Sequence, residues 1–340
     1  MDQQHGALRA LNQLLVAIPP ASGAVVMGTG IVSTDLLLAG HDTLSLTTLV
    51  LATAIWVVLA LLLSGRFVFD RARAAREAAS PAALTGVAGT AVLGTRFVLL
   101  GWEWAGIGLL LLAVLVWLGL LGPVLRHWTT PTVGASFVLV VSTESLAVLA
   151  ANVAGAGHAG WLVVLALVAL ALGLGFYAFV VARFDRRQLL VGRGDHWVAG
   201  GALAISALAC ARVTLSAQAV STLGAAHGAL KAATLTVWAL AMCWLPILVV
   251  AEFISRRSSY DVRRWSTVFP VGMYAACSFL AGSVTGISPI TDFARIWTWV
   301  ALGVWLVVLT SMLSQLPRVL RADPAPLTEQ RARAESGRSA

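Results

Sequence analysis

Charged residues are scarce in this chain of 340 residues, since Asp, Glu, Lys and Arg together make up only 11% of it. A typical soluble domain carries about 25% charged residues. Hydrophobic residues make up 59% of the chain, and its mean hydropathy is +0.87. This composition excludes a soluble domain as the main body of the protein. Cysteine is also rare, and Cys210, Cys243 and Cys277 provide neither a disulfide framework nor a CxxC metal motif.

The chain lacks the paired histidines that would hold haem or a catalytic metal. No two histidines lie four residues apart within one apolar stretch, so neither haem ligation nor an intramembrane metalloprotease is expected. We therefore predict no cofactor and no metal. An integral membrane enzyme is the alternative from a different functional class, and no Ser/His/Asp cluster supports it. The six histidines are His5, His41, His127, His158, His196 and His227.

Ten apolar stretches of about 20 residues fill most of the sequence. Each is long enough to cross the hydrocarbon core of a bilayer as a helix. The sequence therefore predicts an all-α integral membrane protein with ten transmembrane helices. The stretches cover residues 18–39, 44–64, 81–100, 104–122, 132–153, 161–182, 196–218, 230–254, 265–285 and 295–316.

Arginine is missing from every second connection between these stretches. The connections at 65–80, 123–131, 183–195 and 255–264 hold 13 arginines, and the other five hold none. The positive-inside rule then predicts a multi-pass protein of the cell membrane, either plasma or inner, with both termini in the cytoplasm. The net charge of +8 is explained by this topology, so no nucleic-acid partner is expected. We predict a cytoplasmic segment over 1–17, a membrane domain over 18–316 and a disordered tail over 317–340.

The odd-numbered stretches differ from the even-numbered ones. They are richer in glycine and hold the intramembrane hydroxyl groups, whereas the second stretch is a plain apolar surface. Small residues allow close helix packing, and hydroxyl groups can line a wet path. We predict five hairpins, with the odd helices forming an inner ring around a central pore and the even helices facing lipid. The alternative is small-residue packing without a pore. The polar residues are Ser22, Thr29, Ser33, Thr34, Thr85, Thr90, Thr95, Ser136, Ser142, Thr143, Ser145, Ser206, Thr214 and Ser278.

Four ionisable residues lie well inside odd stretches, namely Asp35, Arg96, Glu144 and Arg212. Charges within a bilayer are costly and normally face a partner or water. One interpretation is an external vestibule in which the arginines attract an anion while an acid tunes that attraction or carries a proton. The other is a set of structural ion pairs, such as Arg96–Glu144.

Two segments carry a resemblance to a known family. MGTGIVS at residues 27–33 follows the paired prolines Pro19 and Pro20, and it lies in an apolar stretch rather than in a phosphate-binding loop. It resembles the first span of the tellurite-resistance/dicarboxylate transporter family, also called the voltage-dependent anion channel family. WSTVFPVGMYAACS at residues 265–278 is similar to the ninth span of that family.

The resemblance implies five hairpins around a central pore, assembled as a homotrimer with one pore per subunit. It also implies that Phe269 plugs the pore. A residue before proline is disfavoured in helical geometry, so the helix is expected to bend and redirect this ring. The alternative is a phenylalanine packed between helices. The pore-lining residues expected with it are Gly28, Thr29, Gly30, Ser33, Pro270 and Gly272.

The expected cargo is a small anion. C4-dicarboxylates such as malate come first, because MGTGIVS is closest to the malate-transporter branch. The alternatives are sulfite or a similar inorganic anion in efflux, and a channel of the chloride/nitrate type. Glu144 is an acid that can carry a proton, so a proton-coupled carrier is an alternative to a channel.

Overall fold

The computed structural model describes residues 19–157, 159–191, 194–254 and 261–321. The predicted segment 1–17 and all but the start of the predicted tail 317–340 lie outside these ranges. Within them, ten helices are long and apolar enough to cross a membrane, which confirms the all-α prediction. They are α1 (Pro20–Leu38), α2 (Asp42–Phe69), α3 (Pro81–Leu99), α4 (Glu103–Arg126), α5 (Gly134–Gly155), α6 (Trp161–Val181), α7 (Trp197–Ala219), α8 (Gly224–Ile254), α9 (Val262–Thr285) and α10 (Ser288–Gln315).

The two ends of the bundle differ in charge and in the way the helices turn. We call the end with the arginine-containing connections the basic end, and the other the opposite end. At the opposite end, α1, α3, α5 and α9 are each followed by a glycine with a positive φ of 74–93°. Glycine adopts this left-handed conformation at little cost, so it terminates the helix and starts a tight turn. These glycines are Gly40, Gly101, Gly157 and Gly286.

Burial alternates strictly along the chain. In the odd helices, 72–100% of the residues in the most apolar window are buried, against 17–28% in the even helices. The odd helices are therefore inside the bundle and the even helices outside, as the glycine and hydroxyl content predicts. The exposed apolar faces of the even helices suit the hydrocarbon of a bilayer.

The five odd helices form a closed ring. α1 packs against α3, α3 against α5, α5 against α7, α7 against α9, and α9 returns to α1. Each even helix packs against the odd helix of its own hairpin and also contacts the first helix of the next hairpin. The ring therefore needs no other element to close it, and its axis is formed by the odd helices.

Indole hydrogen bonds join neighbouring hairpins at four of the five seams. In each, a tryptophan of an even helix donates to a hydroxyl of the next odd helix, and we call these bonds indole latches. Between α6 and α7, the described residues contain no such bond. The latches are Trp56 to Thr90 (2.9 Å), Trp117 to Thr143 (3.1 Å), Trp238 to Ser278 (2.9 Å) and Trp305 to Thr29 (3.1 Å).

Candidate functional site: the axis of the inner ring

A vestibule opens along the axis at the basic end. This cavity of about 350 Å³ is lined by the first turns of α1, α3, α5 and α9 and by the residues just before α7. Its charged lining residues are Arg263 and Asp195, and Ser266 contributes a hydroxyl from α9. The vestibule is therefore an entrance at the centre of the ring with a mixed lining, in which these polar groups lie among alanine and valine side chains.

A second, much smaller cavity lies further along the axis, and all five inner helices line it. Its volume is about 30 Å³, enough for one or two water molecules. We call it the central cavity. Its lining residues are Ile31 and Thr34 of α1, Val92 and Thr95 of α3, Ser145 and Val148 of α5, Ile205 and Leu208 of α7, and Met273 of α9. None of the charged side chains in the described ranges lines it.

The hydroxyl groups of the central cavity are its polar feature. Thr34 Oγ1 donates to the carbonyl of Gly30 at 3.0 Å, and Ser145 Oγ donates to that of Val141 at 2.7 Å. Thr95 Oγ1 is buried and has no hydrogen-bond partner in the described part of the chain. Its hydrogen is therefore available to a water molecule or an anion that enters the cavity.

Phe269 lies on α9 between Ser266, which lines the vestibule, and Met273, which lines the central cavity. It follows Ser266 by three residues and precedes Met273 by four, so all three share one face of α9. The ring is 2% exposed. A large apolar side chain therefore lies on this face of α9 between the levels of the two cavities.

Arg212 lies beyond the central cavity, toward the opposite end. It follows Leu208 by one turn on the face of α7 that also carries Ile205, so this face directs it toward the axis. The side chain is half-buried, and its Nε has no partner among the residues described. No ion pair is found for it in those ranges. The guanidinium is thus available to attract an anion.

Arg96 has a different environment, although it is fully buried. Its Nε donates to Ser33 Oγ at 3.0 Å and its Nη2 to Ser45 Oγ at 2.9 Å. The two serine hydroxyls donate to each other's backbone carbonyls, both at 2.7 Å. Arg96 therefore joins α3 to the α1–α2 hairpin and lies behind the pore wall.

The expected Arg96–Glu144 ion pair is wrong, because the two side chains lie at different depths. Arg96 is one turn from the end of α3, whereas Glu144 is near the middle of α5. Glu144 Oε1 instead accepts a hydrogen bond from Ser206 Oγ of α7 at 2.9 Å. Its Oε2 is buried and has no partner in the described ranges.

Asp35 is fully buried between α1 and α9. A Cβ added to Gly272 would lie 3.1 Å from its Oδ2, so the carboxyl packs directly on the backbone of α9. Neither carboxyl oxygen has a hydrogen-bond partner among the described residues. Asp35 is a second acid held within the bundle without a cation beside it.

The residues expected to line the pore instead make contacts between helices. Thr29 accepts the indole latch of Trp305, and Ser33 bonds Ser45 and Arg96. The three glycines and the proline lie where helices approach closely, because a side chain at each glycine would meet its neighbour. Gly28 faces Val268, Gly30 faces Val92, Gly272 faces Ile31, and Pro270 packs against Gly201. The MGTG segment therefore packs the inner helices together. On α1 the wall of the central cavity is formed by Ile31, which directly follows this segment, and by Thr34.

Sequence reasoning missed the apolar residues of the wall, such as Met273 and Leu208. Their signal is helical spacing: Leu208 follows Ile205 by three residues, and Met273 follows Ser266 by seven, so each pair shares one helix face. The described residues contain no group of His, Cys, Asp and Glu that could hold a metal ion.

Comparison with known proteins agrees with this architecture. The family profile described as "Voltage-dependent anion channel" matches residues 17–313. Two uncharacterised membrane proteins of Mycobacterium tuberculosis, from strains CDC 1551 and H37Rv, are each 32% identical over 126 residues. That match covers 36% of this chain and 64% of each relative. With a match across nearly all of its membrane helices, the chain belongs to the voltage-dependent anion channel family.

Proposed function

We propose that this protein moves small anions across the membrane along the axis of the inner ring. One observation carries the proposal: the vestibule, Phe269 and the central cavity follow one another on the same face of α9. Membership of an anion channel family supports an anion as the cargo. The function is transport, and no catalytic step is part of it.

Phe269 is the gate of this path. Its ring fills the narrow level between two cavities, where an apolar side chain blocks ions by steric exclusion and dewetting. Pro270 next to it packs against Gly201, with a distance of 2.7 Å from the ring to an added Cβ. This contact fixes the backbone from which the gate projects. Opening of the pore then requires the phenyl ring of Phe269 to rotate out of the path, while α9 keeps its contact with α7.

Arg212 attracts anions at the opposite end of the path. A guanidinium without an acidic partner raises the local concentration of anions at a pore mouth. The central cavity itself offers hydroxyl groups and apolar surface but, in the described ranges, no charge. Such a lining binds anions weakly and favours rapid passage over tight capture.

The size and neutrality of the central cavity favour monovalent inorganic anions such as chloride and nitrate. A dianion passing a neutral wall loses more hydration energy, because the cost of desolvating an ion rises steeply with its charge. C4-dicarboxylates such as malate remain the second candidate on the basis of MGTGIVS at residues 27–33. Efflux of sulfite is the third.

Flux into liposomes tests this function. The purified protein is reconstituted, and uptake of chloride, nitrate, sulfite and malate is measured with and without a pH gradient. We expect nitrate and chloride to pass fastest, and without a gradient. Malate uptake that requires a pH gradient would instead indicate a proton-coupled carrier. Uptake no faster than into protein-free liposomes would contradict anion transport altogether.

We also propose that the basic end faces the cytoplasm of a plasma or inner membrane and that three copies assemble, each with its own pore. The arginine distribution supports the orientation. Exposed apolar faces on the even helices, including Leu61 at 69% and Ile296 at 68%, offer contact surface for lipid or other subunits. Native mass spectrometry checks the trimer, and labelling of single cysteines placed in the connections checks the orientation.

A further inference from the structure

The seam between α6 and α7 is built differently from the other four. At those seams, a tryptophan of the even helix forms an indole latch with the next odd helix. In the central part of α6 the chain has glycines instead, including Gly173. A methyl group at Gly173 would overlap the carboxyl group of Glu144. Beside this seam, the carboxyl group of Glu144 from α5 therefore packs directly on the backbone of α6.

The Glu144 carboxyl lies directly behind the pore wall. Ser145, the next residue in the sequence, lines the central cavity. Ser206 donates a hydrogen bond to Glu144 Oε1, and the residue before it, Ile205, also lines this cavity. Glu144 is 0% exposed. Its Oε2 is left without a partner in the described part of the chain. One oxygen is therefore free to carry a hydrogen at the level of the pore.

The surroundings of Glu144 suit an uncharged carboxyl group. An ionised carboxylate taken out of water costs several kcal/mol unless a cation or several hydrogen bonds compensate. Here Ser206 gives one hydrogen bond, Gly173 offers bare backbone, and the titratable group facing it from α7 is the thiol of Cys210. No arginine, lysine or histidine of the described ranges forms an ion pair with it.

We propose that Glu144 is an intramembrane proton-binding site and that its proton keeps the pore wall neutral, so that anion passage depends on pH. The proton is bound at Oε2 and is exchanged with water in the pore. When it leaves, the O–H bond breaks and the carboxylate keeps the electron pair. A negative charge then stands beside the central cavity and repels anions. The effect on flux rests on the proposed function, whereas the proton site itself does not.

Infrared spectroscopy tests the site without any transport. The wild-type protein should show the carbonyl stretching band of a buried carboxylic acid, and this component should be lost on raising the pH. E144Q should lack that component, while D35N, which removes the other buried acid, should retain it. A spectrum that E144Q leaves unchanged would overturn the proposal.

Nitrate flux between about pH 5 and pH 9 tests the consequence. We expect wild-type flux to fall about tenfold with rising pH. A negative charge near a poorly solvated path raises the energy barrier for anion passage enough to slow it by about that factor. E144Q should stay at the wild-type low-pH level throughout. If E144Q retains the wild-type pH dependence, or if D35N abolishes it, the proposed dependence of anion flux on the protonation of Glu144 is refuted.

A second variant covers the case in which E144Q folds poorly. S206A removes the hydrogen bond to Oε1 with little change in volume, so the midpoint of the flux curve should move to higher pH. An unchanged midpoint would contradict the proposal. If wild-type liposomes show no anion flux at any pH, the proposed function fails, and the infrared result still decides whether Glu144 binds a proton.

Discussion

Two intramembrane arginines at the same register in different inner helices have different environments. Arg96 and Arg212 occupy corresponding positions counted from the first residues of α3 and α7. Arg96 is fully buried and bonds the hydroxyls of Ser33 and Ser45. Arg212 is half-buried, faces the axis and has no ion-pair partner among the described residues. The contacts of an intramembrane charge therefore depend on the helix face that carries it.

We expect opposite outcomes when each of the two arginines is replaced by alanine. Arg96→Ala removes two charge-assisted hydrogen bonds and should lower the free energy of unfolding by about 3 kcal/mol. Its nitrate flux per folded molecule should be unchanged. Arg212→Ala should leave the thermal midpoint unchanged and lower flux about tenfold at low ionic strength, with a smaller loss at high salt.

Thermal unfolding in detergent and flux normalised to folded protein provide the two measurements, and each variant is the control for the other. An Arg212→Ala protein that loses stability and flux in the same proportion would identify Arg212 as a structural residue.

The residue types at the site could be predicted from the sequence, but their partners could not. Hydroxyls in the odd stretches were expected to line a wet path, and Thr34, Thr95 and Ser145 do line the central cavity. Thr29 and Ser33 lie on the same helix as Thr34 but bond neighbouring helices. These hydroxyl residues look equivalent in the sequence. Only the packing of the five inner helices determines which of them face the axis and which bond a neighbouring helix.

Among the elements, the hairpin is the repeating unit of this fold. Each hairpin contributes one inner and one outer helix, and the indole latches connect it to the next. Indole N–H groups in a bilayer have no water to bond, so a hydroxyl on the neighbouring hairpin satisfies them. The latch between α10 and α1, from Trp305 to Thr29, joins the last hairpin to the first and so closes the ring.

Removing that latch should weaken ring closure. Trp305→Phe keeps most of the aromatic volume but loses the donor to Thr29, and we expect a loss of about 1 kcal/mol in the free energy of unfolding. Trp161→Phe is the matched control, because Trp161 is 64% exposed. Equal thermal midpoints for Trp305→Phe and the control would show that the latch adds nothing to stability.

The number of spans and the odd/even division could be predicted because hydropathy and small-residue content are local properties of the chain. The ends of the even helices were less accurate, since α10 begins at Ser288 and not at residue 295, and α2 continues to Phe69 and not to residue 64. The α6–α7 seam could not be predicted, since it depends on three residues far apart in sequence. Glu144, Gly173 and Ser206 look unrelated until α5, α6 and α7 are packed together. The same applies to the MGTG segment, where glycine content indicates close approach but does not reveal which helix approaches.

At the scale of the whole molecule, five hairpins close into a ring whose inner helices line two cavities, and we propose that Phe269 is the gate between them. The ring was predictable from ten spans and their alternating composition. The level of Phe269 relative to the two cavities was not predictable, because it depends on where the lining residues of all five inner helices converge. Phe269 lies in the first half of α9, nearer the basic end, and the central cavity begins one turn beyond it.

The conductance of Phe269→Ala tests the central claim most directly. Phe279→Ala is the matched control, since Phe279 is buried on the same helix but away from the face that carries Phe269 and Met273. Both variants create a cavity and lose comparable stability, so anion current is compared for protein that elutes as a folded species. The account predicts a clear rise in anion conductance for Phe269→Ala and none for Phe279→Ala. Unchanged or lower conductance in folded Phe269→Ala would contradict it.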